Sequence, residues 1–285
     1  MLTPDRAREW IELSVEDPRK LRENQVETMA RDIVNGRWRR IANAIHFSYA
    51  SGEQGPQMFD GQHRVNAVIR ADTPALVLVA WDMPLSGVSV IDTGSPRTLA
   101  DYLHWRKEPN NQILAAIIRF AWMWENDHLR TYQWRWVKPS IEELIQFFDD
   151  NLDLRDSIPV AKRLKRDPLW IPGSVSGAWW WKTHQRFPKD VEQFVDQVVS
   201  GAGLNSGDPV LAYRRLCLSV KHKLEDYDQR GLLALLIKAF RSSYYGKAVK
   251  TLSWAPNRNE RFPELPGELE ERVREELEPA EMANA

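Results

Sequence analysis

Residues 60–64 read Asp-Gly-Gln-His-Arg, and an apolar pattern at helical spacing follows at once over Val65, Val68 and Ile69. An acid, a glycine, an amide, an imidazole and a guanidinium therefore stand together at the mouth of a helix. Gly61 lets the backbone approach a ligand closely. His63 and Arg64 fall in the first helical turn, where unpaired N–H groups and the helix dipole favour an anion. Arg64 can clamp a phosphate through two parallel hydrogen bonds. Asp60 can hold a metal ion or take the proton of an attacking hydroxyl. The chemistry this pattern suits is nucleoside triphosphate binding. The alternative is a strand-to-helix turn with an aspartate cap and surface charges, which composition alone favours.

A second constellation, Ile91–Asp101 or "IDTGSPRTLAD", repeats the idea. Asp92 ends a strand, Thr93 and Gly94 turn the chain, and Arg97 and Thr98 open a helix. Donors again aim at an anion, and Asp92 can share a metal with Asp60. A plain turn capped by Thr98, with Asp101 on the helix face, explains the same residues equally well. In "NGRWRR" (35–40), Gly36 stops a helix and Trp38 is a candidate core anchor. Arg37, Arg39 and Arg40 are either phosphate contacts or solvated charges. In "LRTYQWRWVKP" (129–139), Arg130, Arg135 and Lys138 interleave with Tyr132, Trp134 and Trp136. Cations alternating with rings suit stacking on exposed bases, and a loop packed on its own domain is the rival reading. The cluster "KRLKR" (162–166) adds local charge, and Trp179–Trp181 reads as packing between helices. Metal-binding Cys/His spacing, a phosphate-loop Gly-Lys-Ser/Thr and a Gly-x-Ser-x-Gly elbow are absent.

The elements that must position these residues divide the chain near "RKEPNN" (106–111). Before it, "TPDRAREWIEL" opens with a Thr cap and a first-turn Pro, and "NQVETMARDIVNG" gives a helix with Val26, Ala30, Met29 and Ile33 inward. "NAIHFSYA" alternates weakly as a strand, "SGEQGPQ" is a turn-rich loop, and "ALVLVAWDM" is a continuous apolar run suited to a sheet interior. "GVSVIDTG" is a further short strand. After the boundary the spacing is helical almost throughout, up to an acidic, Pro-containing end that reads as a frayed helix or disordered tail.

The chain has 285 residues, 43% of them apolar, and a formal net charge of −1. That is ample for a core, and it excludes a global basic field, so nucleic-acid binding requires a local patch. Cys217 is the only cysteine, which excludes an internal disulfide and fits a small buried residue. The first residues lack the apolar stretch of a signal peptide, and no apolar run approaches membrane-spanning length. A reducing cytoplasm, bacterial or of a phage-infected cell, is the expected location, with no membrane partner. Thirteen tryptophans exceed what a core readily satisfies, so some belong on surfaces.

The Asp60–Arg64 turn and the helix after it resemble the signature of the ParB/sulfiredoxin superfamily. Sulfiredoxins carry a Gly-Cys-His-Arg version, free-serine kinases an Asp-Gly-His-His-Arg version, and ParB clamps a Gly-Glu-Arg-Arg version. The Asp-Gly-Gln-His-Arg form is similar to DndB-type proteins of DNA-modification systems and to a group of phage and actinobacterial proteins. For the latter group the similarity extends to "MARDIVNGRW" before the motif and "IDTGSPRTLADYL" after it. The resemblance implies that Gly61, His63 and Arg64 form a triphosphate-binding turn; Gln62, and Thr93, Gly94, Arg97 and Thr98 of the second constellation, are the further expected nucleotide contacts. It implies that Asp60 matches the acid of the serine-kinase version, a base or metal ligand; Asp60 and His63 are the expected catalytic residues, and Asp60 with Asp92 the expected Mg²⁺ ligands. Gln62 stands where sulfiredoxins have cysteine, which excludes thiol-based sulfinic acid reduction at that position, and it departs from the ParB form tied to CTP.

The expectation is thus an α+β protein. A ParB/sulfiredoxin-like nucleotide-binding domain with a small mixed sheet spans 1–108, a mostly helical domain spans 109–258, and the acidic tail spans 259–285. The expected activity is Mg²⁺-dependent turnover of a nucleoside triphosphate, ATP or CTP, in DNA modification or another DNA transaction. Arg130, Trp134, Arg135, Trp136 and Lys138 are the expected nucleic-acid contacts. A nucleotide-gated DNA-binding regulator and a metal-dependent nuclease are the alternatives; the second has only Asp60 and Asp92 as carboxylates.

Overall fold

In a computed structural model the described residues are 1–14, 21–39, 44–48, 56–84, 97–166, 168–220, 228–256 and 260–268. They form a mixed α+β structure, mostly helical, with one small three-stranded mixed sheet. Two compact units are present: Met1–Leu99 with Arg135–Gln146, and Ala100–Trp134 with Phe147–Ala285. No described helix is long and apolar enough to cross a membrane.

The first unit opens with α1 (Pro4–Glu12), started by Pro4 and by the Thr3 hydroxyl, which accepts from the Arg6 N–H. Next come α2 (Glu23–Val34), β1 (Ile45–Ser48), β2 (Gln57–Asp60), α3 (Gln62–Ala71) and β3 (Val79–Met83). The sheet order is β2-β1-β3, with β1 antiparallel to β2 and parallel to β3. The apolar run 75–83 was expected inside the sheet, yet among the described residues β3 lies at its edge. The weakly alternating β1 takes the centre. Ile45 and Phe47 supply the reason, since both are fully buried, whereas Trp81 on β3 remains half exposed and stacks on Phe47 at 4.3 Å. Their core joins Trp10 of α1, Val26 and Ile33 of α2, Met58 of β2, and Val65 and Val68 of α3, with Trp38 packed against it.

The returning segment Arg135–Gln146 is held to this unit by charge. Ser140 and Glu143 form a reciprocal cap at the start of α6 (Ile141–Asp150): the Ser140 N–H donates to Glu143 at 2.7 Å, and the Glu143 N–H donates to the Ser140 hydroxyl at 3.1 Å. Glu143 is buried and also accepts from Arg31 at 3.2 Å and Arg37 at 3.1 Å. Arg37 further pairs with Asp32 at 3.0 Å. This arginine is therefore an internal tie rather than a phosphate contact. Arg39 is exposed, and Arg40 lies outside the described residues.

The second unit contains α4 (Leu99–Trp105) from Ala100 onward, α5 (Asn111–Glu125), the end of α6, then α7 (Ile158–Lys165), α8 (Gly173–His184), α9 (Pro188–Ser200), α10 (Pro209–Val220) and α11 (Gln229–Tyr244). Helix α8 is buried nearly all round, and its tryptophans are inter-helix packing, as the sequence indicates. Trp179 meets Phe194 at 5.5 Å and Phe240 at 5.7 Å. A Cβ on Gly177 would stand 2.5 Å from Ile117, so this glycine is what lets α5 approach α8. Cys217 is buried, which pushes its thiol up to about 12.

The described part of the expected tail, 260–268, is packed instead of frayed. Phe262 and Leu265 are buried, Arg230 lies 4.7 Å from the Trp254 ring and 5.6 Å from the Phe262 ring, and Glu264 pairs with Arg130. Near α4, Glu108 takes two hydrogen bonds from Arg155, at 2.9 and 2.6 Å, and these hold its carboxyl below the ordinary 4.5. A depressed carboxyl contributes stability above its unfolded value and loses it as pH falls through the folded one. Replacing Glu108 by Gln should therefore destabilise the protein near neutrality. In urea titrations the gap from the parent should close as the pH falls below the ordinary carboxyl value and through the lower folded one; a gap independent of pH would remove the Arg155 pairing as its cause.

Candidate functional site

The candidate site is the junction of β1, β2 and α3. Strand β2 ends at Asp60, whose cross-strand partner is His46 on β1. The register slips at this point: His46 faces Asp60 and Phe47 faces Met58, so Phe59 is the extra residue of a bulge. Bulges bend a strand and re-aim its side chains, and this one turns the end of β2 into α3. The pivot is Gly61, the N-cap of α3, with φ +109°. Such a backbone angle belongs to glycine, and a Cβ there would meet Ile45 at 2.9–3.1 Å. The glycine is thus required by the strand behind it, whatever it allows in front.

Side chains converge on Asp60. Arg64, at the third position of α3, reaches back and donates from Nη2 to Asp60 Oδ2 at 2.7 Å. His46 Nδ1 lies 3.2 Å from the same oxygen. Arg64 is only 9% exposed, so its guanidinium is an internal partner of Asp60 rather than an open phosphate clamp. Among the described residues Asp60 Oδ1 accepts no hydrogen bond, and the side chain is 21% exposed. His63 faces elsewhere: its Nε2 accepts the backbone N–H of Arg22 at 3.0 Å. A backbone amide can only donate, so this contact needs Nε2 unprotonated. His63 thereby anchors the chain directly before α2. Gln62 is half-buried, and its carbonyl accepts from the Asn66 side chain at 2.8 Å. The N-cap of α3 is this glycine, which makes no side-chain cap hydrogen bond.

The remaining expected residues divide. Asp92, Thr93 and Gly94 lie outside the described residues. Arg97 and Thr98 are exposed just before α4. Among the described residues no group of three or more His, Cys, Asp or Glu side chains could hold a metal ion. In the aromatic-basic stretch, Tyr132–Trp136 forms a 3₁₀ turn, so its period-two alternation does not build a ribbon. Arg130, in the second unit, is tied to Asp127 at 2.6 Å and Glu264 at 2.5 Å. Trp134 of that unit is half-buried. In the first unit Arg135 and Lys138 are exposed, as is Trp136 at 70%, and the Lys138 carbonyl accepts from Thr28 and Arg31.

Sequence reasoning missed His46 and Arg22. His46 had a signal in the alternation of "NAIHFSYA", where Ile45 and Phe47 go inward, but its register against Asp60 depends on the bulge. Comparison with known proteins found no matching family model, no matching curated protein and no matching solved structure. Gly61→Ala should destabilise the first unit by about 1–3 kcal/mol, through the backbone angle and the contact with Ile45. Urea unfolding measures this; unchanged stability would mean the turn can be built without glycine.

Proposed function

We propose that this chain binds the phosphates of a nucleoside triphosphate at the amino-terminus of α3 and transfers or hydrolyses the terminal one. The observation that carries this reading is the start of α3. A glycine N-cap, without a side chain of its own, opens this helix, and a guanidinium and an imidazole converge on the carboxylate of the preceding residue. The start of a helix attracts an anion through its local N–H groups and the helix dipole. Arg64 supports the site from within by fixing Asp60. The same turn carries the resemblance to the ParB/sulfiredoxin superfamily, and membership in it belongs to this proposal. Asp60 suits magnesium in the minimal form such ions use with nucleotides, one carboxylate oxygen with phosphates and water supplying the rest. When bound, the ion neutralises charge on the phosphates.

Service to DNA is a second part of the reading, and Trp136 favours it. This exposed ring sits between exposed Arg135 and Lys138, a combination suited to stacking on a single-stranded base. Arg130 is withdrawn from the patch because two carboxylates already satisfy it.

Thermal melts of the full chain with ATP, CTP, GTP or UTP and Mg²⁺ test the first part. A ligand at a hundred times its dissociation constant stabilises the folded state by about 2.7 kcal/mol, so one triphosphate at least should raise the melting temperature by several degrees. No shift with any of them at millimolar concentration would dismiss the phosphate site. For the second part, Trp136→Ala should weaken binding to a single-stranded oligonucleotide by roughly 1–3 kcal/mol in a titration at fixed salt. An unchanged affinity would remove Trp136 from any DNA contact.

A further inference from the structure

We propose that the end of α7 carries a binding surface for single-stranded nucleic acid, on which Lys162, Lys165 and Arg166 hold phosphates and Trp170 stacks on a base. The surface lies wholly in the second unit, whereas Trp136 belongs to the first. The inference therefore stands apart from that contact and from the phosphate site at α3. Lys162, Lys165 and Arg166 are spaced i, i+3 and i+4, which sets them along one side of the helix. All three are exposed, while Ile158, Ala161 and Leu164 fill the buried side. Arg163, inside the same basic run, is neutralised by Asp196 at 2.6 Å, as Arg155 just before the helix is by Glu108. The exposed stripe is different. Lys162 Nζ donates to Asn110 Oδ1 at 2.5 Å, a neutral partner, and no carboxylate among the described residues pairs with Lys162, Lys165 or Arg166. Asp167, next in sequence, lies outside the described residues.

Cations near a helix carboxyl-terminus also complement its dipole, which would explain a lysine here without any ligand. At this end backbone groups already serve the carbonyls. Arg163 O accepts from the Arg166 N–H at 3.4 Å, and Leu164 O accepts from the Ile171 N–H at 3.1 Å. The second of these bonds folds the chain back over the end of α7 and brings Trp170 to the stripe, its N–H donating to the Arg166 carbonyl at 3.3 Å. Leu169 and Ile171 are buried on either side of it, so Trp170 is turned outward and stays 46% exposed. Its φ is +53°, in the left-handed region that a bulky side chain rarely adopts. Such strain persists only where the surroundings impose it, and it clusters at ligand contacts. A large ring held outward beside three exposed cations is the combination that binds single strands: the cations follow the phosphates and the ring takes the face of a base. DNA and RNA share both features, whereas an intact duplex hides its base faces. A membrane fits less well, because one half-exposed ring among charges offers little apolar area to insert.

The test is fluorescence anisotropy of a labelled oligothymidylate titrated with the full chain over a series of salt concentrations. The triple variant Lys162→Gln, Lys165→Gln, Arg166→Gln should flatten the slope of log affinity against log salt by about 2, at roughly 0.7 per phosphate contact on a single strand. A control triple, Lys189→Gln, Arg215→Gln, Lys250→Gln, removes as many exposed cations from the same unit and should leave the slope unchanged. Trp170→Asn, whose side chain suits the left-handed backbone, should weaken binding roughly 5- to 150-fold, while Trp170→Phe keeps a ring and most of the affinity. Amine acylation of the parent gives a reading that needs no variant: bound oligothymidylate should shield Lys162 and Lys165 and leave Lys189 reactive. A parent that does not bind the oligonucleotide at low salt would overturn the proposal. So would an equal fall of slope in the two triple variants, parental affinity in Trp170→Asn, or binding to phosphatidylserine vesicles in place of the oligonucleotide. Binding that Trp136→Ala abolishes and the stripe variant leaves intact would defeat this surface and keep only the contact in the first unit.

Discussion

One carboxylate oxygen joins three elements of the first unit. Asp60 Oδ2 receives a guanidinium from α3 and lies within hydrogen-bond distance of an imidazole on β1, while its own backbone ends β2. A charged group this close to the core costs free energy unless it is paired, and Arg64, itself nearly buried, has the same need. Each satisfies the other, and together they set the angle at which α3 leaves the sheet. Gly61 makes that angle possible, since its positive φ and its distance from Ile45 leave no room for a side chain. In consequence the N-cap of α3 is a glycine, which has no side chain to cap the helix.

Each unit also has an ionic centre of its own. Glu143 gathers Arg31, Arg37 and the Ser140 amide, which binds the segment Arg135–Gln146 to the first unit although it is distant in sequence. In the second unit Arg130 and Arg230 fasten the segment around Trp254–Leu265 through Glu264 and the rings of Trp254 and Phe262. In both centres arginines that look like a nucleic-acid surface in the sequence are committed within their own unit. A net charge of −1 is consistent with that pattern, in which positive groups largely find negative ones.

Much of the helical architecture was legible. Thr3 and Pro4 start α1 as their types demand, the stripe Val26, Ala30 and Ile33 faces the core, and the tryptophans of α8 are packing. The turn at Gly61 opening a helix was legible too, because glycine before a periodic apolar run has few other uses. The sheet was less so. Strand β2 was read only as one arm of a strand-to-helix turn, its first residue falling in the loop SGEQGPQ, and burial placed the short β1 rather than the longer apolar run at the centre. The direction taken by Arg64 and the partnership of His46 with Asp60 were not legible at all. The first depends on a half-buried partner four residues back, the second on a one-residue bulge at Phe59 that no local pattern announces. Pairing of Arg37 and Arg130 was hidden for the same reason, since Glu143 and Glu264 lie over a hundred residues away.

Amide hydrogen exchange of the full chain, with and without a nucleoside triphosphate and Mg²⁺, tests most directly whether the start of α3 is a phosphate site. Bound phosphate oxygens would accept the first helical N–H groups, so the slowing should be strongest at Gln62, His63 and Arg64, in the turn that Gly61 caps. Protection centred on another part of the chain, or no protection at saturating nucleotide, would contradict a phosphate site at this turn.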